Sequence, residues 1–588
     1  MILDPRNGDV EDDHASHRSR SLLSLAGSLL IEISPIKAIS TFIGLVVLPA
    51  LLLGFTPLIA SIWLDRLSVR VDAITGFWSL VAIGALIAAA YALWHWAFWA
   101  VEASFWSLNA LLVQPGHALC REALRHVADH FGRPDVDARG KARRNAAMTL
   151  GACLLAATSG VLVATLAWPE TRWQGTPSDL VAPARLLGPV LANAVFVIAS
   201  YTAIATVAWG IADASMEQPR DLAAFATPRE GAARWRVAHL SDVHVVGQRF
   251  GFRVESGRRG PRGNTRFHRA LDELEQRHRQ QPLDVVMITG DMTDAGLSTE
   301  WAEFLDALHR HPELGARAFI LPGNHDLNII DSANPARLEL PLDPARRLRK
   351  VRALAAMAAV QGDRVRVVEP AAGRMGPTLN AFLRPHRAEL QDFADTGSVR
   401  LSPAIDRLWR SCFPQVMLPA TATGLGVILL DSNADSHFSF TNALGLLSAE
   451  DERALAITVA AWPRAHWVLG LHHHLLEYPQ PAKALSERIG TALINGSWFV
   501  RKLQPVGHRL VAMHGHRHKD WIGTAGTVTI VSAPSPVMNA NRHTPTHFYV
   551  HTLQAEGDAL GLLPPERVDL APEEPLTAGP VPVVGRHA

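Results

Sequence analysis

Aspartate and histidine stand two apart at Asp242 and His244 in SDVH, and four more polar clusters follow further along the chain. They are Asp291 and Asp294 in GDMTD, Asn324, His325 and Asp326 in GNHD, His472, His473 and His474 in LHHHL, and His514, His516 and His518 in HGHRH. Carboxylate, imidazole and amide oxygen are donors that suit borderline divalent ions such as Mn²⁺, Fe²⁺ or Zn²⁺. No Cys stands among them, which argues against a structural zinc site. The set is large enough for two ions, and a pair about 3.5–4 Å apart clamps both the attacking and the leaving oxygen in phosphoryl transfer. Any one cluster is commonplace in a loop; five of them, each following an apolar run, are not. Those runs are WRVAHL, DVVMIT, ARAFILP, HWVLGL and RLVAM, with GVILL before DSN as a sixth. Helical stretches such as Arg266–Gln280 and Ser448–Ala461 lie between them. Strands alternating with helices predict an α/β layered domain whose chemistry sits on the loops leaving strand C-terminal ends.

In their order (DxH, GDxxD, GNHD, a histidine run, GHxH) the motifs resemble the calcineurin-like metallophosphoesterase superfamily, over roughly Arg234 to Gln554. The resemblance implies a four-layer sandwich of two β-sheets flanked by helices, with two divalent metal ions per chain (Mn, Fe or Zn). It implies one metal held by Asp242, His244 and His518, a second by Asn324, His472 and His516, and Asp291 bridging both. Family members often read HHPP where this chain reads HHHL, so His473 stays an alternative to His472. His325 resembles the family's catalytic histidine, which contacts phosphoryl oxygens or the leaving group, while Asp294 and Asp326 are expected to orient histidines from behind. A two-metal hydroxide mechanism follows, and it needs no protein nucleophile. GDMTDAG and GNHD are more similar to class III cyclic-nucleotide phosphodiesterases than to protein phosphatases of the superfamily, which read GDxVDRG and GNHE.

The first third of the chain has a different character. Four apolar runs, Thr41–Leu64, Gly76–Val101, Ala146–Trp168 and Leu186–Ala212, contain no Lys, Arg, Asp or Glu. Each reaches the roughly 20 residues that a bilayer core demands of a helix, so we expect an all-α region of four transmembrane helices. The basic residues concentrate in the leader and in the second connection (Arg121, Arg125, Arg133, Arg139, Lys141, Arg143, Arg144). That bias puts both cytoplasmic, and an even number of spans puts the catalytic domain there too, at an inner or plasma membrane. His95, among Trp94, Trp96 and Trp99, reads as part of an aromatic belt, and Leu108–Phe131 as amphipathic. The expected organisation is a leader (1–40), a membrane region (41–215), a polar linker (216–233), the catalytic domain (234–555) and a Pro-rich disordered tail (556–588).

Composition excludes other classes. Lys and Arg number 56 against 55 Asp and Glu, a net charge of +1, so no basic coat for nucleic-acid binding is present. Cys120, Cys153 and Cys412 are odd in number and far apart, which excludes a disulfide framework. Two insertions are expected to carry substrate choice. Gly251–Arg269 brings Arg253, Arg258, Arg259, Arg262, Arg266 and Arg269 beside the first motif, where they would grip a second phosphate or a lipid headgroup, Arg258, Arg259 and Arg262 above all; the equal alternative is a mobile basic loop that touches anionic lipid. Asn334–Leu418 contains an Arg/Ala-rich helix, Pro344–Val360, expected to cap the site. The reading is a membrane-anchored phosphoesterase with membrane lipids as partners, acting on diesters of the cyclic-nucleotide kind. Its alternatives are a hydrolase of phospholipid or lipid-linked pyrophosphate, and a catalytically silent membrane sensor or scaffold.

Overall fold

The computed structural model describes residues 35–72, 138–176, 178–179, 183–248, 263–329, 343–435, 442–480, 493–538 and 545–571, with scattered positions at 81, 84, 88, 251, 253 and 491 and between 113 and 127. Long helices come first: α1 (Leu48–Asp72), α2 (Ala138–Ala167) and α3 (Leu187–Ala214). Within them and their flanks, Leu48–Arg66, Arg143–Glu170 and Ala184–Ala214 are long and apolar enough to cross a membrane. The expected run Gly76–Val101 lies outside the described residues apart from 81, 84 and 88. Large side chains such as Leu154, Leu166 and Ile204 point outward from these helices. Small residues let the backbones meet: a side chain at Gly160 of α2 would press on the Ala199 carbonyl and on Ala203 of α3.

Fifteen strands form two sheets among the described residues. One runs β14 (Ala559–Leu562), β13 (Thr546–Glu556), β2 (Arg234–Leu240), β3 (Val285–Ile288), β4 (Ala318–Ile320), with β15 (Glu566–Leu570) also paired to β13. The other runs β1 (Arg220–Asp221), β11 (Trp521–Ala525), β12 (Val528–Ser532), β10 (Leu510–His514), β9 (His466–Gly470), β8 (Leu425–Leu429), β7 (Gln415–Met417), β5 (Arg366–Glu369), β6 (Arg374–Thr378). The strands that precede the polar motifs pair in parallel, β2–β3–β4 in one sheet and β8–β9–β10 in the other. Parallel strands are covered on both faces, which explains why these runs are apolar without alternation. In β9, Val468 joins the core that includes Val237 and Met287 of the first sheet, while Trp467 and Leu469 face a second core. That second core includes Leu455 of α8 (Ala449–Ala461) and Phe499 of α9 (Gly496–Leu503). On the other sheet α4 (Thr265–Gln280) contributes Phe267 and Leu271, and α5 (Ser298–His309) contributes Trp301 and Phe304. Two β-sheets flanked by helices are therefore the observed α/β architecture.

Two expectations about boundaries and one about a helix are corrected. The stretch 216–233 is no free linker: its β1 pairs antiparallel with β11, and Ala226 N donates to Leu562 O at 2.8 Å. The domain does not stop at 555, because β14 and β15 continue its sheet to Leu570. Their alternating burial, small and partly polar, hid them from a search for apolar runs. The Arg/Ala-rich helix, α7 (Pro344–Gln361), is not a cap: Val351, Leu354 and Met357 are buried in the main core. Its arginines reach the site loops from behind, with Arg349 Nε donating to Leu327 O at 2.8 Å and Arg346 Nη2 to Ala434 O at 3.1 Å. The same insertion supplies β5, β6 and β7 at the sheet edge.

The end of α3 rests on α9. Ser497 Oγ donates to Asp213 Oδ1 at 3.3 Å, and Arg501 Nη2 reaches Ser215 Oγ at 2.6 Å and Ala212 O at 3.3 Å. Arg121 Nη1 donates to the same aspartate at 3.0 Å.

Candidate metal centre

The loops leaving β2, β3, β4, β9 and β10 meet where the two sheets face each other, and their polar side chains converge. Asp242, His244 and His518 form one group of side chains whose donor atoms lie within 4.8 Å of one another. Asp291, His472 and His516 form a second, and His244, Asp294 and His325 a third. His472 Nε2 is a focus: Asn324 Oδ1 lies at 3.0 Å, His516 Nδ1 at 3.1 Å and Asp291 Oδ2 at 3.3 Å. Asp291 Oδ2 is also 3.7 Å from His244 Nε2, so this one carboxylate stands between the two groups. His518 Nε2 is 3.4 Å from Asp242 Oδ1.

The backbone is bent to achieve this. Among the described residues, the non-glycine positions with left-handed backbone are Asp242 (φ 55°), His244 (φ 44°), Asp291 (φ 51°), His516 (φ 72°) and His518 (φ 50°). Each costs about 1–3 kcal/mol and persists only where its surroundings over-determine it. Every one is an expected metal ligand. Glycines make room at two points: a side chain at Gly515 would collide with Ser241 and Asp242, and one at Gly290 (φ +94°) with the His472 ring.

The donor chemistry fits divalent metal. His244 and His472 are wholly buried, and neither ring nitrogen of His244 nor Nε2 of His516 has a hydrogen-bond partner. A buried imidazole left in that state is costly unless something else takes its lone pair. Burial, followed by the neighbouring histidines, holds His244 and His516 well below the usual range, so both are neutral, the form that ligates. Burial acts the same way on His472 but is outweighed by Asp291 and Asp242, which bring it up to about 9. Asp242 is held below the usual range by His518 despite its burial.

Of the two carboxylates expected to orient histidines, Asp294 stands beside one, whereas the hydrogen bonds of Asp326 go to a threonine and to backbone amides. Asp326 accepts from Thr293 Oγ1 (2.6 Å), Thr293 N (2.9 Å) and Gly323 N (2.9 Å), tying the GNHD loop to the GDMTD loop. Burial and then the Asp291 charge push its carboxyl up to about 6. Asp294 Oδ1 lies 3.3 Å from His244 Nδ1. His325 opens the four-residue helix α6 (Asn324–Leu327); its N donates to Asp291 Oδ1 at 2.8 Å and its Nδ1 donates to Asp294 O at 2.7 Å. Held by Nδ1, the ring keeps Nε2 for the site. Between the two histidine alternatives, the geometry brings in His472; His473 instead hydrogen-bonds Ser432 Oγ through Nδ1 at 2.9 Å.

Other residues were not foreseen. Ser535 Oγ donates to Asp242 O at 2.7 Å, and Thr289 O receives His472 Nδ1 at 2.8 Å. Arg253 is buried, with Nε donating to His244 O at 2.9 Å and Nη2 to Gly263 O at 2.6 Å. It therefore braces the first motif, against the expectation that the arginines of Gly251–Arg269 grip substrate. Arg266 likewise turns inward, to Thr546 Oγ1 at 3.0 Å. Arg258, Arg259 and Arg262 lie outside the described residues.

Residues 236–420 match the family profile described as Calcineurin-like phosphoesterase. The chain thus carries a calcineurin-like metallophosphoesterase domain, and a domain of this class is a phosphoester hydrolase with a dinuclear metal centre. The histidine run and GHRH lie beyond the matched span. Among solved structures, a dimetal phosphatase from Danio rerio is similar at 11% identity, covering 58% of this chain and 99% of that one, with a TM-score of 0.34. A Staphylococcus aureus structure bearing a 5′-nucleotidase designation, in complex with alpha-ketoglutarate, shows 15% identity, 58% and 55% coverage and a TM-score of 0.31. The structure of PhoD shows 10% identity, 56% and 66% coverage and a TM-score of 0.33. The chain thus spans about half of the second of these. No match is found among curated proteins.

Proposed function

We propose that this protein hydrolyses phosphate diesters at a two-metal centre in a cytoplasmic domain anchored to the membrane by its N-terminal helices. The observation that carries the reading is the coincidence of backbone strain with ligand position at Asp242, His244, Asp291, His516 and His518. One ion would be held by Asp242, His244 and His518, the other by Asn324, His472 and His516, with Asp291 shared. Two bound divalent ions would supply a nucleophile at neutral pH and neutralise charge on the phosphoryl oxygens. The chain's own part is orientation. Asp291, fixed by the His325 amide, sets the spacing of the two groups, and His325, whose Nδ1–H is held by the Asp294 carbonyl, donates from Nε2 to the ester oxygens in its doubly protonated form. The phosphodiesterase-like wording of GDMTDAG and GNHD supports diesters.

The test is a substrate panel on the full chain in detergent, loaded with Mn²⁺. Bis(p-nitrophenyl) phosphate and cyclic nucleotides should turn over faster than p-nitrophenyl phosphate or a phosphopeptide. Preference for the monoesters would overturn the diester reading while leaving the phosphoesterase reading intact. The contact of α3 with α9 favours a second reading, in which the substrate is a lipid phosphoester. On that reading, substrate presented in vesicles should be cleaved faster than the same headgroup in solution.

A further inference from the structure

The two-metal reading leaves Arg517 and Glu477 without a role, and both are placed to have one. Arg517 separates His516 from His518, two residues with left-handed backbone in a three-residue stretch. A turn of this kind needs an external hold. Its side chain, 5% exposed, extends to the loop after β9, where Nη1 donates to Glu477 Oε1 at 2.8 Å and Oε2 at 3.0 Å. The guanidinium lies over the Tyr478 ring at 5.5 Å, and Tyr478 Oη meets Ser532 Oγ, at the end of β12, at 2.9 Å. Glu477 belongs to the loop that begins with His472. The pair thus joins the loop of His472 to the loop of His516, whose ring nitrogens approach to 3.1 Å.

Charge points the same way. Arg517, the residue between two imidazole ligands, carries a buried positive charge that would repel a divalent cation, and Glu477 neutralises it where it stands. We propose that Glu477 and Arg517 are a positioning pair that sets His516 against His472 and thereby sets the affinity for the second metal ion. Neither residue touches metal or substrate.

The experiment uses the full chain in detergent, titrated with Mn²⁺ and followed by electron paramagnetic resonance, for wild type, Glu477→Gln, Arg517→Met and the double variant. Wild type should bind two Mn²⁺ with an exchange-coupled spectrum. Each single variant should hold the second ion about tenfold more weakly or worse, giving a mononuclear six-line spectrum at Mn²⁺ levels that saturate wild type. The metal-free melting temperature should fall in each single variant, which leaves one charge unpaired, and recover in the double variant, which leaves none, so that weak second-ion binding in the double variant separates positioning from stability. The double variant should lose no more than the worse single, because both changes remove one interaction. Wild-type affinity in either single variant, or losses that add in the double, would overturn the proposal. If Arg517→Met does not fold, Glu477→Gln decides by the same criterion. A wild type that binds fewer than two ions would instead sink the two-metal reading.

Discussion

At the scale of single residues, Asp291 is the position on which most depends. It is left-handed, nearly buried, 3.3 Å from His472 and 3.7 Å from His244, and it receives the His325 amide. Asp291→Ala should therefore weaken both metal sites, whereas Asn324→Ala should mainly weaken the second. Metal analysis of the purified protein should find about two ions per chain in wild type; one tightly held zinc unaffected by Asp291→Ala would contradict the assignment. His325 has the opposite signature. Its Nδ1 is engaged by the Asp294 carbonyl and it is expected to act on phosphate rather than hold metal. His325→Ala should keep both ions and lose roughly 10²–10⁴ in kcat. Gly515→Ala tests the close approach behind the GHRH loop, since its methyl would strike Asp242; metal should be lost with the fold otherwise retained. The ligand types were legible as letters in the chain. The choice of His472 over His473 rested on the family resemblance alone, since neighbours in sequence differ only in which way the loop turns them.

Elements position these residues, and their own stability carries a testable pH dependence. Helix α8 starts with a capping box: Ser448 N donates to Asp451 Oδ2 at 3.1 Å while Asp451 N donates to Ser448 Oγ at 3.0 Å. Burial, opposed by the Ser448 hydrogen bonds and aided by the Asp431 and Glu450 charges, pushes Asp451 up to about 7. In the unfolded chain it titrates near 4. A raised carboxyl means the folded state retains a proton that the unfolded state has released. The stability this group contributes is thus complete below about pH 4 and is lost as pH rises through 7. Asp451→Asn, which keeps an acceptor for Ser448 without the charge, should gain melting temperature relative to wild type between pH 5 and 7.5. A difference independent of pH would refute the linkage. The buried strands β2, β3, β8, β9 and β10 were legible because each is a continuous apolar run ending in polar residues. The short edge strands β1, β14 and β15 were not, because an edge strand owes its existence to a neighbour's unpaired backbone rather than to its own pattern.

For the molecule as a whole, the question is how the apolar helices relate to the catalytic domain. Asp213, at the end of α3, is held by Arg121 and Ser497, and Arg501 grips the last turn. Replacing Asp213 and Arg501 together by Ala should loosen this dock. Limited proteolysis within 216–233 should then speed up, while isolated β1–β11 pairing slows it only in part. Unchanged cleavage would mean that the strand pairing alone holds the two regions together. Topology is open to a direct test: a reporter joined after Leu570 should be active only if it is of a cytoplasmic kind. Strong activity from an exported-type reporter there would overturn the orientation read from the basic loops.

Taken alone, the order of residues determined the chemistry and the class of fold. Five polar clusters at the ends of apolar runs name divalent metal, because donor type and strand-end position are local properties, and the resemblance of their order to the calcineurin-like superfamily implies phosphoester. What only the tertiary structure decided is how parts distant in sequence share a site or a core. It brought His472 to within 3.0 Å of Asn324, 148 residues away. It turned Arg253 and Arg266 inward, and made the Arg/Ala-rich helix a brace behind the site rather than a cap over it. A buried arginine and a substrate-binding arginine are the same letter. Which one it becomes depends on whether a backbone carbonyl from elsewhere in the chain stands where its guanidinium ends.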